Sequence, residues 1–279
     1  MIRITCDSTC DLPKSFYEEL GVTVVGMGVT LGDRFCRDGL DLSADEIYAY
    51  VAETGSLPTT SAISVGEYTD VFEPIVKAGD QIIHISLSSE LSSSHQNARI
   101  AAADLGNIEV INTMSLSTGS GLIVMLAADL VKKGGDLDSI AAKLREASEK
   151  LDVSFVIQTL DYLHKGGRCS AVAALGANLM KLRPEIEMKG GKLAVAKKYR
   201  GSIERSVSDY IKGRLANRDD VDLSRIFVTH SGVPDEVLTM AVDLVKSLHP
   251  FENVYTSRAG CTISSHCGPE TLGVLFFTK

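Results

Sequence analysis

Three stretches rich in hydroxyl side chains have the residue types and positions needed to bind an anion. The longest, Ser86–Ser94 (SLSSELSSS), follows the apolar run QIIHI and begins a helical pattern. Hydroxyls and free backbone amides at a helix start can hold an oxyanion, which the helix dipole also stabilises. The other two stretches are Leu57–Ser64 (LPTTSAIS) and Asp7–Pro13 (DSTCDLP). A cap or turn that binds no ligand is the alternative for each stretch: it is less favoured for Ser86–Ser94, more favoured for Leu57–Ser64, and about as favoured as a ligand contact for Asp7–Pro13.

The second half of the chain adds two candidates. The first is Lys165-Gly166-Gly167-Arg168, which we expect between a strand and an apolar helix. Its paired glycines permit a close approach of the backbone to another group, and the planar arginine side chain can bind a carboxylate or a phosphate. His266 lies in SSHCGP, a predicted turn, where it is either a ligand contact or a structural group. The window 181–218 contains 11 Lys or Arg and 4 Asp or Glu, which indicates a solvated face or a docking surface for an acidic partner.

The first half of the chain predicts an open α/β sheet that positions the hydroxyl-rich loops. Helices are indicated by two capping boxes, Ser43–Glu46 and Ser64–Glu67, in which a Ser and a Glu three residues later satisfy each other's backbone amides. Alternating strands and helices indicate parallel strands, whose carboxyl ends are the usual ligand edge. The predicted strands are Ile2–Cys6, Val22–Val29, Gln81–Ile85 and Ile108–Ile111.

The second half predicts a different, mixed sheet. A Lys-Gly-Gly-Lys turn (Lys189–Lys192) between two apolar runs indicates a hairpin. Helices near 202–217 and 234–248 alternate with further strands, the last near 272–277. We therefore predict an α/β chain of two domains with the ligand near their interface. Residues 1–155 form an open, mostly parallel, doubly wound sheet, and residues 156–279 form a mixed-sheet α/β domain.

Composition excludes several classes of protein. The 279 residues carry a net charge of −8 at a pI near 5.3, which argues against a nucleic-acid partner. The most apolar stretch, Gly121–Val131, is about half the ~20 residues that span a bilayer. Without a signal-peptide pattern at the N-terminus, the six cysteines are expected to be reduced in the cytoplasm and to hold no metal. Trp is absent, so the core must be largely aliphatic.

Five stretches taken together and in order resemble the DegV family, bacterial fatty-acid-binding proteins that serve a fatty acid kinase. They span essentially the whole chain and read DSTCDLP, LPTTSAIS, ISLSSELSSSHQNA, DYLHKGGR and HCGPETLG. The resemblance implies two α/β domains that hold a long-chain fatty acid near their interface. Aliphatic side chains would enclose the acyl chain, and the ligand would need no additional cofactor.

The resemblance also assigns roles to individual residues. The groups that it places at the fatty-acid carboxylate are Thr60, Ser61, Ser92, Ser93 and His266. The arginines that it places near the incoming phosphoryl group or the kinase are Arg168 and Arg200. Because the chain has no phosphate-binding loop, the partner kinase would supply ATP and metal. Any contact with a membrane surface is expected to be transient.

Three residues depart from the family pattern. Ser93 replaces a glycine, His95 replaces an aromatic residue, and Glu270 replaces a second glycine. If the family's glycine is needed for a positive φ or for close approach of the ligand, then Ser93 would change the shape of the pocket mouth. Glu270 would repel a carboxylate if it pointed inward, and we expect it to face solvent.

Two other functions remain open at the level of sequence. One is an acyl hydrolase or acyltransferase with Ser92 as nucleophile, His266 as base and Asp7 as orienting group. The other is a small-molecule-binding α/β protein or regulatory subunit. The hypothesis that the resemblance favours is a carrier that presents the fatty-acid carboxylate for phosphorylation.

Overall fold

The computed structural model describes residues 1–169 and 182–279. The strands are β1 (Ile2–Asp7), β2 (Val22–Val25), β3 (Gly28–Leu31), β4 (Arg34–Arg37), β5 (Thr59–Ser61), β6 (Gln81–Ser86), β7 (Ile108–Asn112), β8 (Leu151–Val156), β9 (Leu182–Lys189), β10 (Lys192–Arg200), β11 (Val221–His230), β12 (Val254–Arg258) and β13 (Leu272–Thr278). The described helices are α1 (Lys14–Leu20), α2 (Ala44–Thr54), α3 (Val65–Lys77), α4 (Ser94–Leu105), α5 (Ser117–Lys132), α6 (Leu137–Glu149), α7 (Asp161–Gly166), α8 (Ile203–Leu215), α9 (Asp235–Leu248) and α10 (Cys261–Cys267).

The first sheet is parallel throughout and has the strand order β2-β1-β6-β7. Its central strand β6 is buried almost end to end, including Ile82, Ile83 and Ile85. A continuous apolar run of this kind suits a parallel strand covered by helices on both faces. The capping boxes at Ser43 and Ser64 are both formed at helix starts. Together with the parallel pairing of the strands, these helices confirm the predicted open α/β sheet.

One predicted strand is wrong. The run Val22–Val29 forms two strands, because β2 belongs to the parallel sheet whereas β3 belongs to a small antiparallel sheet of order β4-β3-β5. The chain is held at the break by Met27, whose backbone N–H donates to Ser8 Oγ at 3.1 Å. This contact is not local, and an apolar run in the sequence carries no sign of it.

The second sheet is mixed, with the order β10-β9-β8-β13-β11-β12. Among the described strands of this sheet, β11 and β12 pair in parallel and the other neighbours pair antiparallel. The predicted hairpin is confirmed as β9 and β10, with Gly190 and Gly191 at φ 56° and 78° in its two-residue turn. Strand β8 belongs to this sheet from Leu151 onward, so the division that we predict after residue 155 falls within a strand. The division into two domains remains a prediction.

Helix α5 connects the two sheets. It packs against β1 and β6 of the first sheet and against β8 and β13 of the second. A Cβ at Gly119 would lie 2.7 Å from Val153, and one at Gly121 would lie 2.7 Å from Leu12. These glycines let α5 approach β8 on one side and the loop that contains Leu12 on the other. One apolar core is continuous across the two large sheets. No helix among the described residues is long and apolar enough to cross a membrane.

Candidate ligand-binding site

Thr60 and His266 meet between the small sheet and α10. Their Oγ1 and Nε2 atoms are 2.8 Å apart and form a hydrogen bond. Thr60 is the middle residue of β5, opposite Val29 of β3, so its side chain points away from those of its two neighbours. His266 lies in the last turn of α10, not in the turn that the sequence predicts. The structure therefore brings together two of the predicted carboxylate-binding residues.

Two buried aspartates fix the start of α10. Asp38 accepts the backbone N–H groups of Cys261 and Thr262 at 2.7 and 3.1 Å, and Asp11 accepts that of Gly260 at 2.9 Å. Negative charge is favoured there because the first amides of a helix point outward unpaired. Burial raises the pKa of Asp11 well above its ordinary value, and the nearby Asp38 raises it further. Residues remote in sequence thus position the helix that carries His266.

Gly166, the first of the paired glycines before Arg168, packs against His266. A Cβ at Gly166 would overlap Nδ1 of the imidazole, which is the close approach expected there. Arg168 donates to the Gly166 carbonyl at 2.7 Å. Burial, and then the positive charge of Arg168, lower the pKa of His266 to about 4. The imidazole is therefore neutral near pH 7.

The KGGR stretch is positioned differently from the prediction. Lys165 and Gly166 are the last two residues of helix α7, and Gly167 caps that helix at φ 68°, so the stretch does not directly follow a strand. Helices α7 and α10 pack together. The turn at Gly167, which ends α7, therefore lies close to the part of α10 that carries His266. The apolar helix that the sequence predicts after Arg168 lies outside the described residues.

Ser92 and Ser93 approach the same region from the first sheet. Ser92 Oγ is 3.0 Å from Ser94 Oγ and accepts the Ser94 backbone N–H at 3.2 Å. Ser93 precedes α4 at φ −73°, a conformation open to any residue. The glycine of the family pattern is therefore not required here by backbone strain. Ser94 Oγ in turn accepts the Ile63 N–H at 3.2 Å, which links this loop to the one that carries Thr60.

Two cavities share this part of the molecule. The polar cavity has an empty volume of about 660 Å³ and is lined by six polar residues, Thr60, Ser92, Ser93, Arg168, Thr262 and His266, together with apolar side chains. The apolar cavity, of about 500 Å³, extends between the sheets past Phe155, Leu163 and Leu275. Four residues line both cavities, namely Leu116, Leu193, Ile263 and His266. The cavities therefore adjoin, with His266 at their boundary.

The hydroxyl groups around the apolar cavity are occupied by one another or by the backbone. Thr229 Oγ1 is 2.6 Å from Thr118 Oγ1, and Ser231 donates to the Gly268 carbonyl at 2.6 Å. Thr271 donates to the Cys267 carbonyl at 3.0 Å, and Ser117 to Asp11 at 2.6 Å. Because these groups are satisfied, this cavity offers mainly hydrocarbon to a ligand.

Two predicted site residues lie away from the cavities. Ser61 is exposed on the opposite face of β5, beside Gly28. Arg200 is exposed at the end of β10, seven residues beyond Leu193, a separation of about 23 Å at ~3.3 Å per residue. Glu270 is half-buried with φ 54° and lines neither cavity, so it does not face solvent as fully as expected.

The hydrolase alternative requires a Ser92–His266–Asp7 arrangement, which the described residues do not form. Fully buried Asp7 accepts hydrogen bonds from Tyr68, Ser86 and the Leu87 backbone at 2.5, 3.0 and 2.9 Å, and it contacts His84 at 3.2 Å. Burial opposes its ionisation, but these partners, His84 foremost, lower the pKa of Asp7. Asp7 therefore acts as a buried anchor for the start of the Ser86–Ser94 loop.

All six cysteines are buried. In residues 1–169 and 182–279, no group of three or more His, Cys, Asp or Glu side chains is arranged to hold a metal ion.

The fold and the site define a class: α/β proteins in which two large sheets, joined by a helix, adjoin a polar and an apolar cavity. A family model described as "Uncharacterised protein, DegV family" matches residues 1–279. The chain therefore belongs to the DegV family. A DegV domain-containing protein of Caldanaerobacter subterraneus subsp. tengcongensis is 30% identical over 100% of this chain and 99% of that protein.

Solved structures share the whole fold. A DegV family protein from Thermus thermophilus, described as fatty acid binding, has a TM-score of 0.90 at 29% identity, covering 100% of this chain and 99% of that one. A stearic acid-binding protein from Eubacterium ventriosum has a TM-score of 0.86 at 25% identity, with the same coverage of 100% and 99%.

Several residues of the site carry no recognisable signal in the sequence. Thr262 and Ile263 belong to a seven-residue helix, too short for a periodic pattern. Leu116 and Leu193 resemble ordinary core leucines, since only the packing of the two sheets brings them to the cavities. The helix-anchoring role of Asp38 depends on a contact across 223 positions.

Proposed function

We propose that this protein is a fatty-acid carrier that buries a long acyl chain and presents its carboxylate to a fatty acid kinase. The observation that carries the proposal is the Thr60–His266 pair at the boundary between a polar and an apolar cavity. An elongated molecule with one anionic end matches this arrangement. The descriptions of the Thermus and Eubacterium proteins support a fatty acid as that molecule.

Burial of the acyl chain supplies most of the affinity in this proposal. Each methylene transferred from water contributes ~0.8 kcal/mol, so a long saturated chain needs few polar contacts. The apolar cavity, lined by Phe155, Leu163 and Leu275, receives the chain. Its hydroxyls are already hydrogen-bonded, so an alkyl chain displaces no polar contact there.

The carboxylate is held at the polar end. Neutral His266 has one ring N–H, which Nε2 donates to Thr60 Oγ1 and which thereby orients that hydroxyl. Thr60 and Ser92 then donate their hydroxyl protons to the carboxylate oxygens. Ser93 lines the same cavity, whereas Ser61 projects from the opposite face of β5 and lies away from it. Arg168 attracts the carboxylate electrostatically and is exposed, as a group that meets an incoming phosphoryl group must be.

The binding half of the proposal is tested by mass spectrometry of the purified protein under native conditions. We expect a bound species with the mass of one long-chain fatty acid, which solvent extraction removes and added palmitate restores. Protein that neither carries nor takes up a fatty acid, but hydrolyses acyl esters, would establish the hydrolase alternative instead.

The kinase half requires a fatty acid kinase, ATP and Mg²⁺. We expect Arg168→Ala to bind palmitate and to lower the rate of acyl-phosphate formation more than tenfold, with partial recovery in Arg168→Lys, which keeps the charge without the planar fork. Arg200→Ala should raise the KM for the carrier without changing palmitate affinity. Full activity of both alanine variants would refute the roles of the two arginines.

A further inference from the structure

Thr262 carries a buried hydroxyl that no group in the described structure satisfies. The residue is 4% exposed, and its Oγ1 has no hydrogen-bond partner among residues 1–169 and 182–279. A buried hydroxyl without a partner destabilises a protein, so such groups are uncommon. Thr262 lines the polar cavity, as Thr60 and His266 do.

The position of Thr262 is well fixed. It precedes His266 by four residues on α10, so the two side chains lie on the same face one helical turn apart. Its backbone N–H is bound to Asp38 at 3.1 Å, and the branched side chain has few accessible rotamers. The hydroxyl is thus held beside the imidazole before any ligand arrives.

We propose that Thr262 is a further carboxylate-binding residue, whose hydroxyl donates a hydrogen bond to the head group of the bound fatty acid. The inference rests on the proposed function and extends its site. An ionised carboxylate has two oxygens with about four acceptor positions, so it can accept a hydrogen bond from Thr262 in addition to those from Thr60 and Ser92. The ligand would then satisfy a hydroxyl that has no hydrogen-bond partner among the described residues.

The test uses Thr262→Val, which replaces the hydroxyl with a methyl group of similar size. In titration calorimetry with palmitate on delipidated protein, we expect about tenfold weaker binding, as for the loss of one hydrogen bond to a charged group. The melting temperature of the unliganded variant should rise, because the unpaired polar group is gone. Thr262→Ser, which keeps the hydroxyl, should bind palmitate within about twofold of the wild type.

Thr9→Val is the matched control. Thr9 is also fully buried with an unpartnered Oγ1, but it lines neither cavity. We expect its melting temperature to rise in the same way while palmitate affinity stays unchanged. Equal affinity of Thr262→Val and the wild type would overturn the assignment of Thr262 and leave the carrier function intact. Failure of the wild type itself to bind palmitate would overturn the carrier function.

Discussion

Only a glycine at position 166 leaves room for His266. A methyl group there would overlap the imidazole at Nδ1, and His266 would have to move away from Thr60. We expect Gly166→Ala to weaken palmitate binding by at least tenfold, measured by titration calorimetry. Because the 2.8 Å contact is lost, the variant should also show a shifted imidazole resonance in NMR spectra.

Gly167→Ala is the neighbouring control. Gly167 has φ 68°, and a Cβ there meets no atom within 4 Å. Alanine in the left-handed region costs about 1 kcal/mol, so the free energy of unfolding should fall without a loss of affinity. If both variants lose affinity equally, the Gly166 contact does not position His266.

His95 is expected to make the protein sensitive to acid. Burial, and then Arg99, lower its pKa to about 4 from 6.5, and its Nδ1 has no partner among the described residues. Between pH 6.5 and about 4 the unfolded chain takes up a proton that the folded chain does not. Stability is therefore lost as pH falls through this range. His266, with the same direction of shift, contributes to the same loss.

We expect His95→Phe to lose less stability on acidification than the wild type, by on the order of 1 kcal/mol between pH 7.5 and 5. The measurement is urea unfolding at both pH values. For each protein we take the difference in the free energy of unfolding between the two pH values. A change in packing around the larger ring affects the measurements at both pH values alike and cancels in this difference. An identical pH dependence in both proteins would show that His95 does not titrate in this way.

At the scale of elements, α10 depends on a carboxylate supplied by a distant loop. Asp38→Asn keeps the size of the side chain but removes its charge and one acceptor position at the helix start. We expect faster amide hydrogen exchange in Cys261–Cys267 and weaker palmitate binding. Exchange in α10 equal to that of the wild type would show that the helix holds without this charge.

A control for general destabilisation is available at α6. Asp136 accepts the Ser139 N–H at 2.9 Å and caps that helix at the surface. Asp136→Ala should cost about 1 kcal/mol of stability, typical of a lost N-cap. It should leave exchange in α10 and palmitate affinity unaltered.

Elements with local signals were predicted well from the sequence. The capping boxes at Ser43 and Ser64 and the hairpin turn at Gly190–Gly191 are specified within a few residues, and all three are present. Elements stabilised by remote partners were missed. The helix α10 was expected to be a turn, because the anchors that make it helical come from Asp11 and Asp38. The break between β2 and β3 likewise depends on Ser8.

The candidate site shows the same limit. Thr60, Ser92, Arg168 and His266 were assigned through family resemblance, and the structure places them around one cavity. Composition and spacing alone indicated only hydroxyl-rich loops. Ser61 and Thr262 show why a motif is insufficient. The face on which Ser61 projects depends on strand pairing, and the cavity contact of Thr262 depends on packing of α10 against both halves of the chain.

At the scale of the whole molecule, one apolar core extends over both sheets through α5. We therefore expect a single cooperative transition in urea, with coincident curves from circular dichroism and tyrosine fluorescence. Palmitate at a free concentration of one hundred times Kd should raise the free energy of unfolding by ~2.7 kcal/mol and shift the whole transition to higher urea concentration. Two separated transitions would show that the sheets unfold independently.

The basic window 181–218 is partly neutralised in the fold. Arg214 contacts Glu185 and Glu187 at 3.2 and 3.0 Å, and Arg218 contacts Asp220 at 2.6 Å. Lysines of β10 and Arg200 remain exposed along one strand. Arg205 and Lys212 of α8 are exposed as well, so the positive charge that remains at the surface is spread over β10 and α8.

The Thr60–His266 contact joins residues 206 positions apart. During synthesis, the first of these leaves the ribosome long before the second has been made. An incomplete chain that lacks His266 therefore cannot form this pair, whatever else of it has folded. In the carrier that we propose, only a chain synthesised beyond position 266 can hold a fatty acid there.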